Sequence, residues 1–302
     1  MERSDHTANA PGIATPLQTT ISAVAKARVM LVTPWQKSAN PLTAFCVAHL
    51  RDPRRTSSLL NYGDAFVAHS RNGCADVFLK SDLEWYLTID DDMVIPFGNA
   101  EWYNAHTGFN FAEKFAGLNA MDRLLSHGKT IVGGLYWGRH RFGAAMYGEG
   151  SNNPAEADWA RRGPHDVCKP TRWVATGCLL IHRSVFLDIE RKFPRLARGT
   201  NLKGGQWFSS SEHSALDVID RTREMLSKGP LSGETAHKAL SMLEAGASDA
   251  RRNSSLGMGE DVQFCTRAKE AGHQPFVDCG LILGHVGQCV YGPHNTSPKP
   301  KQ

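Results

Sequence analysis

A chain of 302 residues, 41% of them hydrophobic and 21% charged, carries enough apolar side chain to bury a substantial core, as one large domain or two small ones. Its 34 Lys and Arg against 30 Asp and Glu leave a formal charge of +4, a mild basic excess that is compatible with polyanionic partners and identifies none. No run approaches the roughly 18 apolar residues of a bilayer span, and the opening "MERSDHTANAPGIATPLQTTISAVAKA" lacks the compact apolar block of a secretory signal, so the expectation is a soluble, cytoplasmic protein. Residues 1–26, rich in Ser, Thr, Ala and Pro, read as a disordered arm. "ARVMLVTP" then reads as a buried strand ending at Pro34, and "NPLTAFCVAHL" as a short helix with Pro41 near its start. "DAFVAHSRNGCADVFLKSD" predicts a second strand leading into a helix that begins near Arg71. "EWYLTIDDD" is the next strand.

Further along, "FAEKFAGLNAMDRLLSHG" places Phe111, Phe115, Leu118, Met121 and Leu125 at helical intervals, with Gly128 as a stop signal. "KTIVGGLYWG" and "RWVATGCLLIHRS" read as strands and "VFLDIERKF" as a helix. Residues 196–258 turn polar and irregular around "GTNLKGGQWFSSS", with helical patterns near Ser214 to Ser227 and Glu234 to Ala245, and read as an insertion before the last core helix. That helix is "GEDVQFCTRAKEAGH", ended by Gly272; "QPFVDCGLILGHVG" supplies a last strand pair, and residues 293–302 a flexible tail. Seven cysteines, with no C-x-x-C pair and mostly in apolar contexts such as "TGCLLI", are expected to be reduced, buried hydrophobes rather than a disulfide framework or a zinc site.

The strand "EWYLTI" delivers three consecutive carboxylates, Asp90, Asp91 and Asp92, to one place. Like charges that close raise each other's pKa unless something neutralises them. In an open α/β sheet the C-terminal edge of the strands is where ligands bind. A hard divalent ion, Mg²⁺ or Mn²⁺, bridging to a diphosphate would neutralise the cluster; a solvated turn with aspartates capping backbone amides would account for it equally. Glu260 and Asp261 open a helix, where the macrodipole favours carboxylates for purely structural reasons and where they are also placed for chemistry. His285 lies between glycines after an apolar strand, with few steric neighbours. "LYWGRHRFG" sets Tyr136, Trp137, Arg139, His140 and Arg141 beyond a strand end, where aromatic faces suit sugars or bases and cations suit phosphates; a solvated loop with a buried Trp is the competing reading. Thr176 and Gly177 permit close backbone approach, as a strand bulge also would. Trp207 and Phe208 are either an acceptor platform or a minor hydrophobic core beneath the insertion.

Taken in order, "VTP", "HSRNGCADVFLKSDLEWYLTIDDDM", "IVGGLYWGR", "WVATGCLLIHRSVF", "GEDVQFCTRAKEAGHQPFVD" and "LGHVG" resemble the GT-A family of nucleotide-sugar glycosyltransferases. The resemblance runs from about Arg28 to Gly287, with 196–258 as its main departure. It implies one α/β domain over 27–292, a GT-A-like, Rossmann-related central mixed sheet flanked by helices. It also implies transfer of a sugar from a UDP- or GDP-linked donor to a hydroxyl of a saccharide, a protein or a modified DNA base. Under it Asp90, Asp92 and His285 hold Mn²⁺ or Mg²⁺, while Thr33, Pro34, Arg71, Asp90, Asp91, Tyr136, Trp137, Thr176 and Gly177 contact the donor. Asp261 is the candidate general base with Glu260 orienting a hydroxyl, and Arg139, Arg141 and Trp207 are candidates for the acceptor side. Lys203, Arg251 and Arg252 extend the positive charge around the insertion, which suits a nucleic-acid acceptor. Two other functions fit parts of the pattern. "YLTIDDDMV" matches the strand and D-x-D of haloacid-dehalogenase-like phosphohydrolases, with Asp90 as nucleophile and Asp92 as acid/base, although that motif belongs on a first strand and here follows earlier strand-helix units. A non-catalytic nucleotide-sugar-binding module is the other.

Overall fold

The computed structural model describes residues 24–35, 40–62, 67–108, 117, 119–138, 147–148, 168–193, 206–208, 222, 226, 232–241, 243–244, 259–287 and 290–291. They form a mixed α/β structure built on a seven-stranded sheet. The strands in chain order are β1 (Val29–Trp35), β2 (Thr56–Tyr62), β3 (Trp85–Ile89), β4 (Met93–Val94), β5 (Ile131–Leu135), β6 (Tyr147–Gly148), β7 (Cys168–Pro170), β8 (Trp173–Val174), β9 (Cys178–His182), β10 (Phe276–Ile282), β11 (Gly284–Val286) and β12 (Val290–Tyr291). The helices are α1 (Pro41–Leu50), α2 (Val67–Lys80), α3 (Ala100–Thr107), α4 (Ala120–Ser126), α5 (Arg183–Lys192) and α6 (Glu260–Glu270).

The main sheet runs β2-β1-β3-β9-β5-β10-β7. β2, β1 and β3 pair in parallel, as do β5 and β10, while β9 and the edge strand β7 run antiparallel to their neighbours. Its central strands are apolar along their length: every residue of β5, and all of β3 after Trp85, is buried, as a strand covered on both faces requires. The pleat sorts the helices. Tyr86 lies opposite Ile181, and its ring packs against Phe78 of α2 and Phe186 of α5 with centroids 5.5 and 5.4 Å apart. Phe264 of α6 joins Phe186 at 5.7 Å, so α2, α5 and α6 share one face. Following the register across β9 and β5 to β10 places Asp278 on the other face, where Arg123 and His127, at the end of α4, meet it. A smaller sheet, β12-β11-β4, stands beyond the end of β3.

The expected strands "ARVMLVTP", "EWYLTI" and "IVGGL" are present, as are the helices at Pro41, "VFLDIERKF" and "GEDVQFCTRAKE" and the final strand pair. Three readings are corrected. The second strand is "TSSLLNY", whose serines conceal it, and the expected "DAFVAH" is helical from Val67 onward, its residues 64–66 lying outside the described residues; among the described strands "TSSLLNY" is at an edge, where polar residues are tolerated. Because α2 begins at Val67, Arg71 falls within the helix rather than at its start. "RWVATGCLLIHRS" divides into β8 and β9 at residues 175–177. The expected helix through Phe111, Phe115 and Leu118 lies outside the described residues; from Ala120 onward it is α4, capped by Asn119, and Gly128 follows it at φ 60°. Of the insertion, residues 206–208 and the helical stretch 233–241 are described, and the pattern from Ser214 to Ser227 lies outside apart from 222 and 226. The six described cysteines are free, and all but Cys168 are buried. Among the described residues no helix is long and apolar enough to cross a membrane.

Candidate functional site

The apolar strand β3 ends at Ile89 and the chain turns through Asp90, Asp91 and Asp92 into β4. Backbone bonds fix that turn from three sides: Asp90 N–H donates to the Gly177 carbonyl at 3.1 Å, Asn40 N–H to the Asp91 carbonyl at 3.0 Å, and Val286 N–H to the Asp92 carbonyl at 2.7 Å. The last is continuous with the pairing of β11 to β4, in which His285 lies opposite Met93. A histidine almost two hundred residues away in sequence is thereby placed beside the acidic turn. Its Nδ1–H donates to the Trp137 carbonyl at 2.7 Å, which sets the tautomer and leaves Nε2 facing Asp92 Oδ2 at 3.3 Å. An imidazole oriented through its second nitrogen, beside a carboxylate oxygen, is a donor pair suited to a metal. Among the described residues no group of three or more His, Cys, Asp or Glu side chains forms a metal site, so an ion here would draw its other ligands from a substrate and water.

Asp90 faces a different partner. Arg71, with 3% of its side chain exposed, donates from Nη2 to Asp90 Oδ1 at 2.5 Å and from Nη1 to Glu260 Oε1. Burial disfavours the guanidinium charge, but the two carboxylates outweigh it and hold its pKa above the ordinary value. Three of the expected site residues thus partner one another. Arg71 is turned inward from the second turn of α2 and ties β3 to α6. Asp90 has one oxygen committed to that arginine, which leaves Asp92 as the carboxylate beside His285. Glu260 is held by the same arginine through Oε1.

Asp261, the next residue, behaves otherwise. Its side chain reaches solvent in part, yet protein surrounds the carboxyl and pushes its pKa up to about 6, with the charges of Glu260 and Asp90 adding to the effect of burial; Arg71 and the Val262 N–H oppose it. Its Oδ1 accepts that N–H at 2.7 Å, so the residue serves the helix N-terminus as well. The preceding position is Gly259, where a Cβ would stand 2.8 Å from Asp261 Oδ1; any larger residue displaces the carboxylate.

Several expected contact residues are enclosed. Tyr136 and Trp137 are each 4% exposed. The Tyr136 hydroxyl accepts the Gly177 N–H at 3.0 Å and its ring stands edge-on to His285 at 5.4 Å. A Cβ on Gly177 would lie 2.5 Å from Tyr136 Cζ, so the close approach this glycine permits is by the protein's own phenol, not by a donor. Neither aromatic ring offers a face for stacking; they build the wall behind His285. Thr176 is 2% exposed, and Thr33, also 2% exposed, has an Oγ1 without a hydrogen-bond partner among the described residues; Pro34 is buried beside it.

Trp207, 1% exposed, is no acceptor platform. It packs edge-on against Phe186 at 5.8 Å while Phe208 stacks on Phe264 at 4.5 Å. Asn72 fixes this stretch with two bonds to the Phe208 backbone, donating to its carbonyl at 2.6 Å and accepting its N–H at 2.8 Å; Arg267 donates to the Gln206 and Trp207 carbonyls at 3.0 and 3.2 Å. The segment is a small core. Arg139, His140, Arg141, Lys203, Arg251 and Arg252 lie outside the described residues.

Sequence reasoning did not single out the cluster around Asp278. This fully buried carboxylate accepts from Arg123 Nε at 2.5 Å and Nη2 at 2.9 Å, from His127 Nε2 at 2.7 Å, and from the Gly280 and Leu281 N–H groups at 2.9 and 3.2 Å. Those amides belong to the irregularity in β10 where its register to β5 shifts. Burial opposes the charge, but the bonds from His127 and Arg123 hold the carboxyl down to about 2. The same bond, with one to Cys168, raises His127 to about 9.

No family model matches the chain, and no curated protein matches it. Among solved structures, the chain is similar to one titled "Crystal Structure of A197 from STIV", at 11% sequence identity and a TM-score of 0.45, over 89% of this chain and 91% of that one. At that level of likeness, the reading of the site rests on its own residues.

Proposed function

We propose that this chain is a metal-dependent glycosyltransferase of GT-A type, moving a sugar from a UDP- or GDP-linked donor to a hydroxyl acceptor. The observation that carries the reading is the convergence, at the C-terminal end of β3, of Asp92 and His285 3.3 Å apart with the Asp90–Arg71–Glu260 bridge that brings the Asp261 end of α6 to the same edge. Mn²⁺ or Mg²⁺ fits the donor set: one carboxylate and one pre-oriented imidazole, with a diphosphate to complete the shell. Asp92 and His285 would hold the ion, which would supply charge stabilisation to a departing diphosphate. The chain's own groups do the rest. Asp261 accepts the acceptor's hydroxyl proton as its oxygen forms a bond to the anomeric carbon and the bond from that carbon to the diphosphate breaks; a base of this kind suits inversion of configuration. Its raised pKa brings proton affinity closer to neutral pH than an ordinary aspartate offers. Arg71 keeps Asp90 and Glu260 in register between the two halves of the site. A phosphohydrolase using Asp90 as nucleophile is disfavoured by the same bridge, which occupies an oxygen of that carboxylate, and by the position of the motif on the third strand.

The test is incubation with a panel of UDP- and GDP-sugars and acceptors, including saccharides, peptides and hydroxymethylated-pyrimidine DNA, with an aryl phosphate run separately. Sugar transfer that needs Mn²⁺ or Mg²⁺ and is lost in Asp92→Ala is expected. Full transfer in excess chelator, or aryl-phosphate turnover lost in Asp90→Asn without any transfer, overturns the reading.

A further inference from the structure

The end of β5 presents three successive acceptors, each taking a hydrogen bond from a different part of the site. The Leu135 carbonyl receives the Leu283 N–H at 2.8 Å, where β10 gives way to β11; the Tyr136 hydroxyl receives the Gly177 N–H at 3.0 Å; the Trp137 carbonyl receives His285 Nδ1–H at 2.7 Å. Gly177 passes the connection on, because its carbonyl accepts the Asp90 N–H at 3.1 Å, at the start of the acidic turn. Tyr136 is therefore tied to both sides of the Asp92–His285 pair. Its hydroxyl reaches the turn through Gly177, and its ring meets the imidazole edge-on at 5.4 Å. Filling space accounts for the ring alone. A phenylalanine would fill much the same volume and leave the buried Gly177 N–H without an acceptor. The fit also runs the other way, since a Cβ on Gly177 would stand 2.6 Å from the Tyr136 hydroxyl oxygen and force the phenol aside.

We propose that Tyr136 is a positioning residue that holds the acidic turn and His285 in register with each other, an assignment that rests on the reading of Asp92 and His285 as the pair for Mn²⁺ or Mg²⁺. The hydroxyl fixes the Asp90 end of the turn, and the ring, at 90° to the imidazole, fixes the imidazole plane. The two actions separate by substitution. Tyr136→Phe loses the first and keeps the second, whereas Tyr136→Leu loses both.

Two measurements on the full chain test this, the first without metal. By NMR, amide hydrogen exchange at Asp90 is expected to be about tenfold faster in Tyr136→Phe than in the native chain, as the loss of one buried hydrogen bond allows. The His285 ring nitrogens, observed by ¹H–¹⁵N correlation at pH 8, are expected to change from the Nδ1–H tautomer in the native chain to a mixture of tautomers in Tyr136→Leu. The second is binding of Mn²⁺ in the presence of UDP or GDP, followed by the electron paramagnetic resonance of the free ion, which Tyr136→Phe should weaken about tenfold, in the range for removing a group that orients metal ligands. Native exchange at Asp90 in Tyr136→Phe overturns the proposal, whether or not Tyr136→Leu folds; so does a folded Tyr136→Leu that keeps the Nδ1–H tautomer, or Mn²⁺ affinity equal in the native chain and Tyr136→Phe. A native chain that binds no Mn²⁺ while both metal-free effects hold overturns the metal reading of Asp92 and His285 and supports the tie through Tyr136.

Discussion

Asp261 and Asp278 are both surrounded by protein, both lie near an arginine, and their protons behave in opposite ways. Asp278 receives donors on both oxygens, two side chains and two backbone amides, and its carboxyl is held at about 2. Asp261 has one amide and two neighbouring carboxylates, because the nearby guanidinium is already engaged by Asp90 and Glu260, and it rises to about 6. The comparison separates a carboxylate that holds a fold together from one kept able to take a proton. Burial alone does not distinguish them; the supply of donors does.

The largest effect expected from breaking this contrast is on turnover. Asp261→Asn keeps the size and the bond to Val262 but cannot accept a proton, and should lower sugar transfer by about 10²–10⁴-fold while donor binding changes little. Its melting temperature should hold or rise, since an amide does not have to be ionised among carboxylates. A loss of stability parallel to the loss of activity would instead make Asp261 a helix cap.

Asp278→Asn should do the reverse. It leaves Arg123 and His127 without their counter-charge and is expected to cost about 3–5 kcal/mol in denaturant unfolding, the range for breaking a buried ion pair. A smaller loss should follow Asn72→Ala, which removes two buried hydrogen bonds to Phe208 and should cost about 1–3 kcal/mol. A loss below a few tenths would mean that the Gln206–Phe208 segment is not anchored through Asn72.

The pH dependence of stability is the finest of these tests. Asp278 is depressed, so its contribution is full above 3.8 and fades as pH falls toward about 2. His127 is raised, so its contribution is full below 6.5 and fades as pH rises through about 9. Asp261 is raised as an acid, so its ionisation costs stability progressively from 3.8 up through about 6. The melting-temperature difference between Asp261→Asn and the native chain should therefore open between those values and stay constant above them. A difference that does not change with pH would contradict the assignment.

Much of the sheet was legible because β1, β3, β5, β9 and β10 are apolar runs that end at prolines, glycines or charges. The edge strand β2 was not, since "TSSLLNY" is half polar and an edge strand needs no second covering layer. The acidic turn, the helix-opening pair and His285 could be named from local pattern alone. What pattern could not supply was partner choice. Nothing in "HSRNG" says that Arg71 turns inward to Asp90 and Glu260, and nothing in "YWG" says that Tyr136 fills the space over Gly177. Those outcomes depend on which helix face meets the sheet, a long-range property set by register. Asp278 went unnoticed for the same reason: its partners come from α4, far away in sequence and on the opposite face from the aromatic core.

Carboxyl ¹³C NMR of the chain labelled at aspartate Cγ, titrated from pH 3 to 9 and assigned with Asp261→Asn and Asp278→Asn, measures the central contrast directly. The account predicts one resonance, lost in Asp261→Asn, titrating near pH 6, and another, lost in Asp278→Asn, with no protonation step above pH 3. An Asp261 that titrates in the ordinary carboxylate range near 3.8, or an Asp278 that titrates there with it, would contradict the division between the working carboxylate and the structural one.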